Sequence, residues 1–478
     1  MRPGTVTPAA DDPALCPSRA YLLDRCFPYM ALVARIGAVI AASITVLLSF
    51  ALVVRDGLSG LLFAPLDFTA FRCGGLLLSR GADPYRVEPL RSCELLSLYH
   101  VGKQLTPHLV VPAPLPPYAL LAFAGLAHFW PPVPSQIWAW LLLASFVATC
   151  LLLRPALRTP FGYVVIPFMT ADFLASLIVG QVVPLELALI ALTIALVRSG
   201  HPRLGAIAAA ATLFEPNIGL PVCLALAAYV PRARGTLALG LLSVGALSLY
   251  PGGPLLDAEY FTHVLPDEAF TEGLDASKQY GLSAQLALAG VPASFAVATG
   301  AISYALMTAL GMRLGKRLAD RFHEPAFLLA TPSAFALIGG TYVHIHQIAV
   351  ALPLALLLVG RVERYRVLLA TSIVLLATPV QTIGELALYQ PIPQARLLAA
   401  EHQMDLVDDS DMPAAGVWAQ WVAAGGHTTH GEDISLAEKI PTWLGLFALA
   451  FIAFEAAGAR RGKASVPRRQ GAPLDATA

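Results

Sequence analysis

Charge is what this sequence has least of. Only 13% of its 478 residues are Asp, Glu, Lys or Arg, against 57% hydrophobic, and mean hydropathy is +0.67. A soluble domain carries about a quarter charged residues, so composition excludes one and points to a polytopic membrane protein. Lys+Arg and Asp+Glu balance at 31 each, which removes any global attraction to nucleic acid. Cysteine is scarce too: the six residues form no Cys-x-x-Cys pair, so zinc and redox motifs are missing. Cys16 and Cys26 precede the first apolar run, and Cys150 and Cys223 lie within apolar runs. Cys73 and Cys93 share one loop; they form a disulfide in an oxidising compartment or are two unrelated thiols. The start of the sequence is not expected to be a cleavable signal peptide. Residues 1–32 are polar, carry Arg2, Arg19 and Arg25, and lead into an apolar run with no small-residue cleavage site after it. Residues 33–54 read as a retained signal anchor.

Apolar runs dominate the rest. A span needs roughly 20 mainly apolar residues, and the runs are 33–54, 107–129, 134–153, 160–179, 183–198, 204–230, 236–250, 286–311, 325–342, 345–360, 367–382 and 441–458. The expectation is an all-α polytopic membrane protein of about twelve spans. A leader at 1–32 and a basic tail at 459–478 flank one transmembrane domain at 33–458. Its outer loops are 55–106 and 383–440, with no short-period repeat and no separate soluble domain. Prolines in 107–129 put the helix start at Pro116 or Pro117, where proline suits a first turn. Glu215-Pro216-Asn217 interrupts 204–230, giving one broken span or two half-helices; broken helices at membrane depth line cavities.

Positive charge marks the cytoplasmic side. Arg313, Lys316, Arg317 and Arg321 form one cluster, and Arg361, Arg364 and Arg366 another. Arg232 and Arg234, and Arg460, Arg461 and Lys463, fall on the same side, which places both termini in the cytoplasm. Two places disagree: Arg154 with Arg158, and Arg198 with Arg203, land outside in a twelve-span count. The first outer loop also breaks the rule, with Arg55, Arg72, Arg80, Arg86, Arg91 and Lys103. These arginines bind a lipid phosphate, whose geometry guanidinium matches, or contact ordinary anionic headgroups.

Asp67-Phe68-x-x-Phe71, a small-residue helix and Gly81-Ala82-Asp83-Pro84-Tyr85 resemble the first outer loop of glycosyltransferase family 87, polytopic enzymes of the GT-C type. Pro114-Leu115-Pro116-Pro117-Tyr118 is similar to the family's Tyr-Pro-Pro-Leu entry, and Gly180-Gln181-Val182 to its Gly-Gln-Val. Gln279-Tyr280-Gly281-Leu282-Ser283 resembles its Asn-Gln-Ser segment, and His346, seven positions before Pro353, its histidine-apolar-proline stretch. Glu215 departs from the pattern, standing where the family often has lysine. The resemblance implies a GT-C fold in the cell membrane with its active site on the extracytoplasmic face. It implies transfer of mannose or a related hexose from a polyprenyl-phosphate donor to a lipid-linked or glycan acceptor, with Asp67 and His346 catalytic.

The residue types fit that chemistry. Phosphate is a good leaving group, whereas an acceptor hydroxyl needs a base, and one carboxylate serves. Asp67 is that candidate, with Arg72, Arg80 and Arg86 as donor-phosphate partners stabilising developing charge. Otherwise Asp67 is a helix N-cap. Asp83 before Pro84 reads as a turn former and a secondary candidate, as do Tyr85, Gln181 and His344. Gln181 is expected in a polar network. His344 and His346, at i and i+2, are expected on different helix faces, against a metal pair. No motif demands a cofactor. In the long outer loop, His402, His427 and His430 stand among Asp405, Asp408, Asp409 and Asp411, a mixture that can hold a divalent cation or simply be solvated. The rival readings are a transporter or lipid-linked sugar flippase, and a catalytically dead assembly subunit of the same fold.

Overall fold

The computed structural model describes residues 65–99, 109–130, 133–158, 161–276, 278–377, 409–423 and 432–458. The leader, the 33–54 anchor, the basic tail, Cys16, Cys26, Arg55, Lys103, Asp405, Asp408, His402, His427 and His430 lie outside the described residues. The described chain is helical, with one isolated bridge, Arg86 to Pro413. Among the described residues, four helices are long and apolar enough to cross a membrane: Val133–Leu157, Pro231–Tyr250, Ala293–Phe322 and Lys439–Gly458.

The first outer loop folds as α1 (Leu66–Ser79) and α2 (Val87–Tyr99), joined by a Cys73–Cys93 disulfide with the Cα atoms 5.8 Å apart. α3 (Pro117–Ala127) starts where the prolines allow, with Pro116 as N-cap. It has 11 residues, about 16 Å at 1.5 Å per residue, too short for a core of about 30 Å. Within 109–129, therefore, the described helix alone does not reach the length of a span. α4 (Val133–Leu157) follows, then α5 (Gly162–Phe168), a π-turn and α6 (Leu174–Val179), then α7 (Val183–Arg198).

The broken run resolves into α8 (Pro202–Ala211) and α9 (Pro216–Tyr229). These half-helices fold back on each other: Cys223 Sγ lies 3.1 Å from the Ala209 carbonyl. A Cβ on Gly219 would sit 2.0 Å from the Thr212 carbonyl oxygen, so only glycine permits the turn to close. The run is therefore a helical hairpin, with Glu215 at its turn.

α10 (Arg234–Glu259) leads to α11 (Leu265–Phe270), and α12 (Leu282–Leu288) to α13 (Ala293–Phe322). α14 (Ala326–Gly339) is apolar on every face and almost wholly buried, as such a helix must be. A 3-10 segment, Ile345–Ala351, continues into α15 (Leu352–Val359); α16 (Arg366–Leu375), α17 (Ala414–Ala423) and α18 (Glu432–Gly458) complete the chain.

The misfit arginines find their place here. Arg198 Nε pairs with Glu324 at 2.9 Å and Arg361 Nη2 with the same carboxylate at 3.0 Å. Arg361 also donates to the Ala156 carbonyl at 2.8 Å, and Arg321 to that of Ala456. The ends of α4, α7, α13, α15 and α18 thus meet at one basic end. Arg158 and Arg198 stand close enough to Arg361 for their charges to act on it, so both belong to this cationic end.

A returning hairpin has a direct test. Single cysteines replacing His201 and Arg232 should label with an impermeant maleimide from the same side as one replacing Arg317. One replacing Gln420 should label from the other side. Labelling of His201 and Arg232 sites from opposite faces would show that 204–230 crosses.

Candidate active site

Asp67 occupies the first turn of α1, inside the helix. Pro65 is the N-cap, with no side-chain cap bond, so the capping role is corrected. The Asp67 carboxylate instead accepts a hydrogen bond from Gln181 Nε2 at 2.5 Å. Gly180 makes this possible. It ends α6 in the left-handed region at φ +84, and a Cβ there would stand 2.6 Å from the Cβ atoms of both Phe68 and Pro65. Trp138 Nε1 donates to the Gly180 carbonyl at 2.9 Å, and Phe68 stacks on the Trp138 ring at 5.5 Å. Phe71 packs on Phe123 at 5.5 Å. The two phenylalanines of Asp-Phe-x-x-Phe anchor α1, while its aspartate faces inward.

That aspartate lines a cavity of about 810 Å³. Its lining combines apolar side chains, among them Leu66, Phe71, Val111, Leu115, Leu220 and Val297, with Asp67, Gln181, Glu215, Glu268, Glu272, Lys278, His344 and His346. The outer-loop helices hold the wall at 111–115: Tyr85 OH donates to the Leu115 carbonyl at 2.8 Å, and Glu94 accepts from the Val111 N–H at 3.0 Å.

Burial sets the protonation states. It pushes the Asp67 carboxyl from 3.8 up to about 7; the Gln181 hydrogen bond and Lys278 restrain the rise, and Glu272 adds to it. Since the folded-state value is raised, the protonated form is favoured, and this contribution to stability fades as pH rises through about 7. Burial, reinforced by Lys278, lowers His344 to about 3, so its ring is neutral at ordinary pH. Burial and the neighbouring Glu272 hold Glu268 well above the usual carboxylate range.

His344 is an N-cap in extended conformation rather than a helical residue. The rings of His344 and His346 consequently stack, 5.2 Å apart at 13°, which corrects the expectation of different faces. Gln279 Nε2 lies 2.9 Å from His344 Nε2, and Gln279 Oε1 accepts from the Val343 N–H at 2.8 Å. Gln347 accepts from the His344 N–H at 3.0 Å and donates to Glu215. Among the described residues, no group of three His, Cys, Asp or Glu side chains stands at metal-binding spacing.

The arginines expected at the donor phosphate do not line the cavity. Arg72 is buried against Ser97 Oγ at 3.0 Å and the Phe129 carbonyl at 3.2 Å. Arg80 is the exposed C-cap residue of α1. Arg86 pairs with Glu259 at 2.9 Å and Asp83 at 3.3 Å and donates to the Asp411 carbonyl at 2.8 Å. None of the three lines this cavity: Arg72 and Arg86 tie segments together through these bonds, and Arg80 is exposed at the end of α1. Asp83 is the turn former its sequence suggests, accepting from the Tyr85 N–H at 2.8 Å. Tyr85 is buried outside the cavity.

Glu268, Glu272, Lys278, Tyr342 and Trp418 were missed by sequence reasoning. The signals were present: two glutamates at i and i+4, and one lysine in an otherwise acidic outer loop. The chain matches no protein-family model, and no curated protein matches it. Function is accordingly argued from the cavity itself.

The Asp67–Gln181 bond makes a measurable difference. Its N–H donor favours the charged carboxylate, so Gln181→Leu should raise the ionisation midpoint from about 7 by roughly one unit. The protonated carboxyl's infrared band, with Asp67→Asn as blank, reads that midpoint. An unchanged midpoint contradicts the bond.

Proposed function

We propose that the protein is a membrane glycosyltransferase of the GT-C type, similar to family 87. It moves mannose or a related hexose from a polyprenyl phosphate to a lipid-linked or glycan hydroxyl. The observation that carries this reading is a cavity lined by both apolar and polar side chains, with a desolvated carboxylate among them. Apolar lining suits a lipid tail, and the polar groups suit a sugar-phosphate head.

In this reading the acceptor hydroxyl loses its proton to Asp67 as its oxygen attacks the anomeric carbon. The bond from that carbon to the phosphate oxygen breaks, and the phosphate leaves with the electron pair. A base with a value near 7 works close to ambient pH. The neutral imidazoles of His344 and His346 donate hydrogen bonds to the departing phosphate or orient the acceptor. No second carboxylate is required to protonate the leaving group, unlike glycoside hydrolysis.

Topology supports the same reading. With the basic end in the cytoplasm, the cavity faces outward. The Cys73–Cys93 pair then lies on the side where disulfides persist. A transporter is the rival. Its ionisable residues cluster at the midplane between repeats, whereas these cluster at one end of the bundle.

Turnover should report the base. Asp67 acts ionised, so kcat/KM should fall about tenfold per pH unit below about 7. Asp67→Asn should lower turnover roughly a hundredfold or more in a folded protein. Wild-type transfer by Asp67→Asn in a purified-enzyme assay would remove Asp67 from the mechanism.

A further inference from the structure

With these arginines outside the cavity, Lys278 is the one lysine or arginine among the described residues that line it. Lys278 Nζ lies 4.0 Å from Glu272 Oε1 and 3.9 Å from Asp275 Oδ2. Both distances exceed hydrogen-bond length, so these ion pairs leave the ammonium's N–H groups uncommitted. Besides these two carboxylates, the ammonium stands over the Trp418 ring, whose centroid is 4.4 Å away. A cation–π contact fixes the charge without consuming its donors. The backbone beside Lys278 is stapled as well: Lys439 Nζ donates to the carbonyls of Ala276 and Gln279.

Trp418 comes from the distant segment 409–423, and its position is built. Arg91 grips Asp409 through two bonds of 2.8 and 2.9 Å, both side chains mostly buried. Beside that pair, the Val87 N–H donates to Met412 at 2.9 Å, Glu88 to Ser410 at 3.1 Å, and Ala414 to Tyr85 at 2.9 Å. Arg86 adds its bond to Asp411.

We propose that segment 409–423 completes the substrate site, bringing Trp418 onto Lys278 so that this pair receives an anionic, phosphate-type head group carried on a lipid. The lipid as the source of the phosphate rests on the transferase reading above. The chemistry follows from the contacts. An ammonium with uncommitted N–H groups takes a phosphate oxygen through charge-assisted bonds. The adjacent His344, neutral at ordinary pH, adds no competing charge. Lys278 and Asp67 line the same cavity, so a head group held by the lysine shares that cavity with the carboxylate.

The test is equilibrium binding to the full-length protein in lipid nanodiscs, with no sugar present. The probes are farnesyl phosphate, farnesol and inorganic phosphate. Wild type should prefer farnesyl phosphate over farnesol by at least about tenfold, the size of one hydrogen bond to a charged group. Inorganic phosphate should compete only weakly. Lys278→Met should cut the preference to less than about threefold, and Lys278→Arg should keep it. Asp409→Asn should weaken farnesyl phosphate binding and leave farnesol binding unchanged. Should Lys278→Met not fold, Trp418→Leu decides the same question by loss of the preference. A preference that survives Lys278→Met or Trp418→Leu overturns the proposal. Inorganic phosphate binding as tightly as farnesyl phosphate overturns its lipid source. Because no turnover is read, an intact preference beside absent sugar transfer refutes only the transferase reading.

Discussion

A carboxylate held away from water is the constraint around which this molecule is arranged. Ionising Asp67 inside an apolar cavity is unfavourable, and one close donor, Gln181, offsets part of that penalty. The donor reaches it only because Gly180 lets a helix end lie against the first turn of α1. Phe68, Phe123 and Trp138 pack that turn in place. The result is a carboxyl poised near 7, equally able to hold or to take a proton.

Charge elsewhere is sorted by end. Glu324 draws Arg198 and Arg361 together at one end, and the carboxyl-rich cavity occupies the other. The α8–α9 hairpin serves both ends, returning its basic termini to one and presenting Glu215 to the other. Outer-loop arginines that break the usual charge asymmetry are accounted for by Glu259, Asp83 and Asp409, their partners in distant segments.

Much of this was legible in the sequence. Scarcity of charge gave the helical membrane class, and Pro116-Pro117 marked the start of α3. The turn at Asp83, the break at Glu215, and the approach of Gln181 to a polar network were also readable. What failed were readings that depend on direction or long-range partners. Counting apolar residues cannot tell a crossing from a returning hairpin, because both halves of 202–229 are equally apolar. An arginine's destination is set by its partner, and Arg91 meets Asp409 318 positions away. Lys278 carried no motif, since its meaning comes from Trp418 in another loop. The histidines misled because a helical face was assumed where His344 is extended.

The most direct measurement is sugar transfer by purified protein in liposomes supplied with a panel of polyprenyl-phosphate sugars. Each donor would be followed both for cleavage to polyprenyl phosphate and for movement across the bilayer. A glycosyltransferase of this design cleaves at least one hexose donor when a hydroxyl acceptor is present, and Asp67→Asn abolishes the cleavage. Donors that cross the bilayer intact, or cleavage that proceeds unchanged in Asp67→Asn, would contradict it.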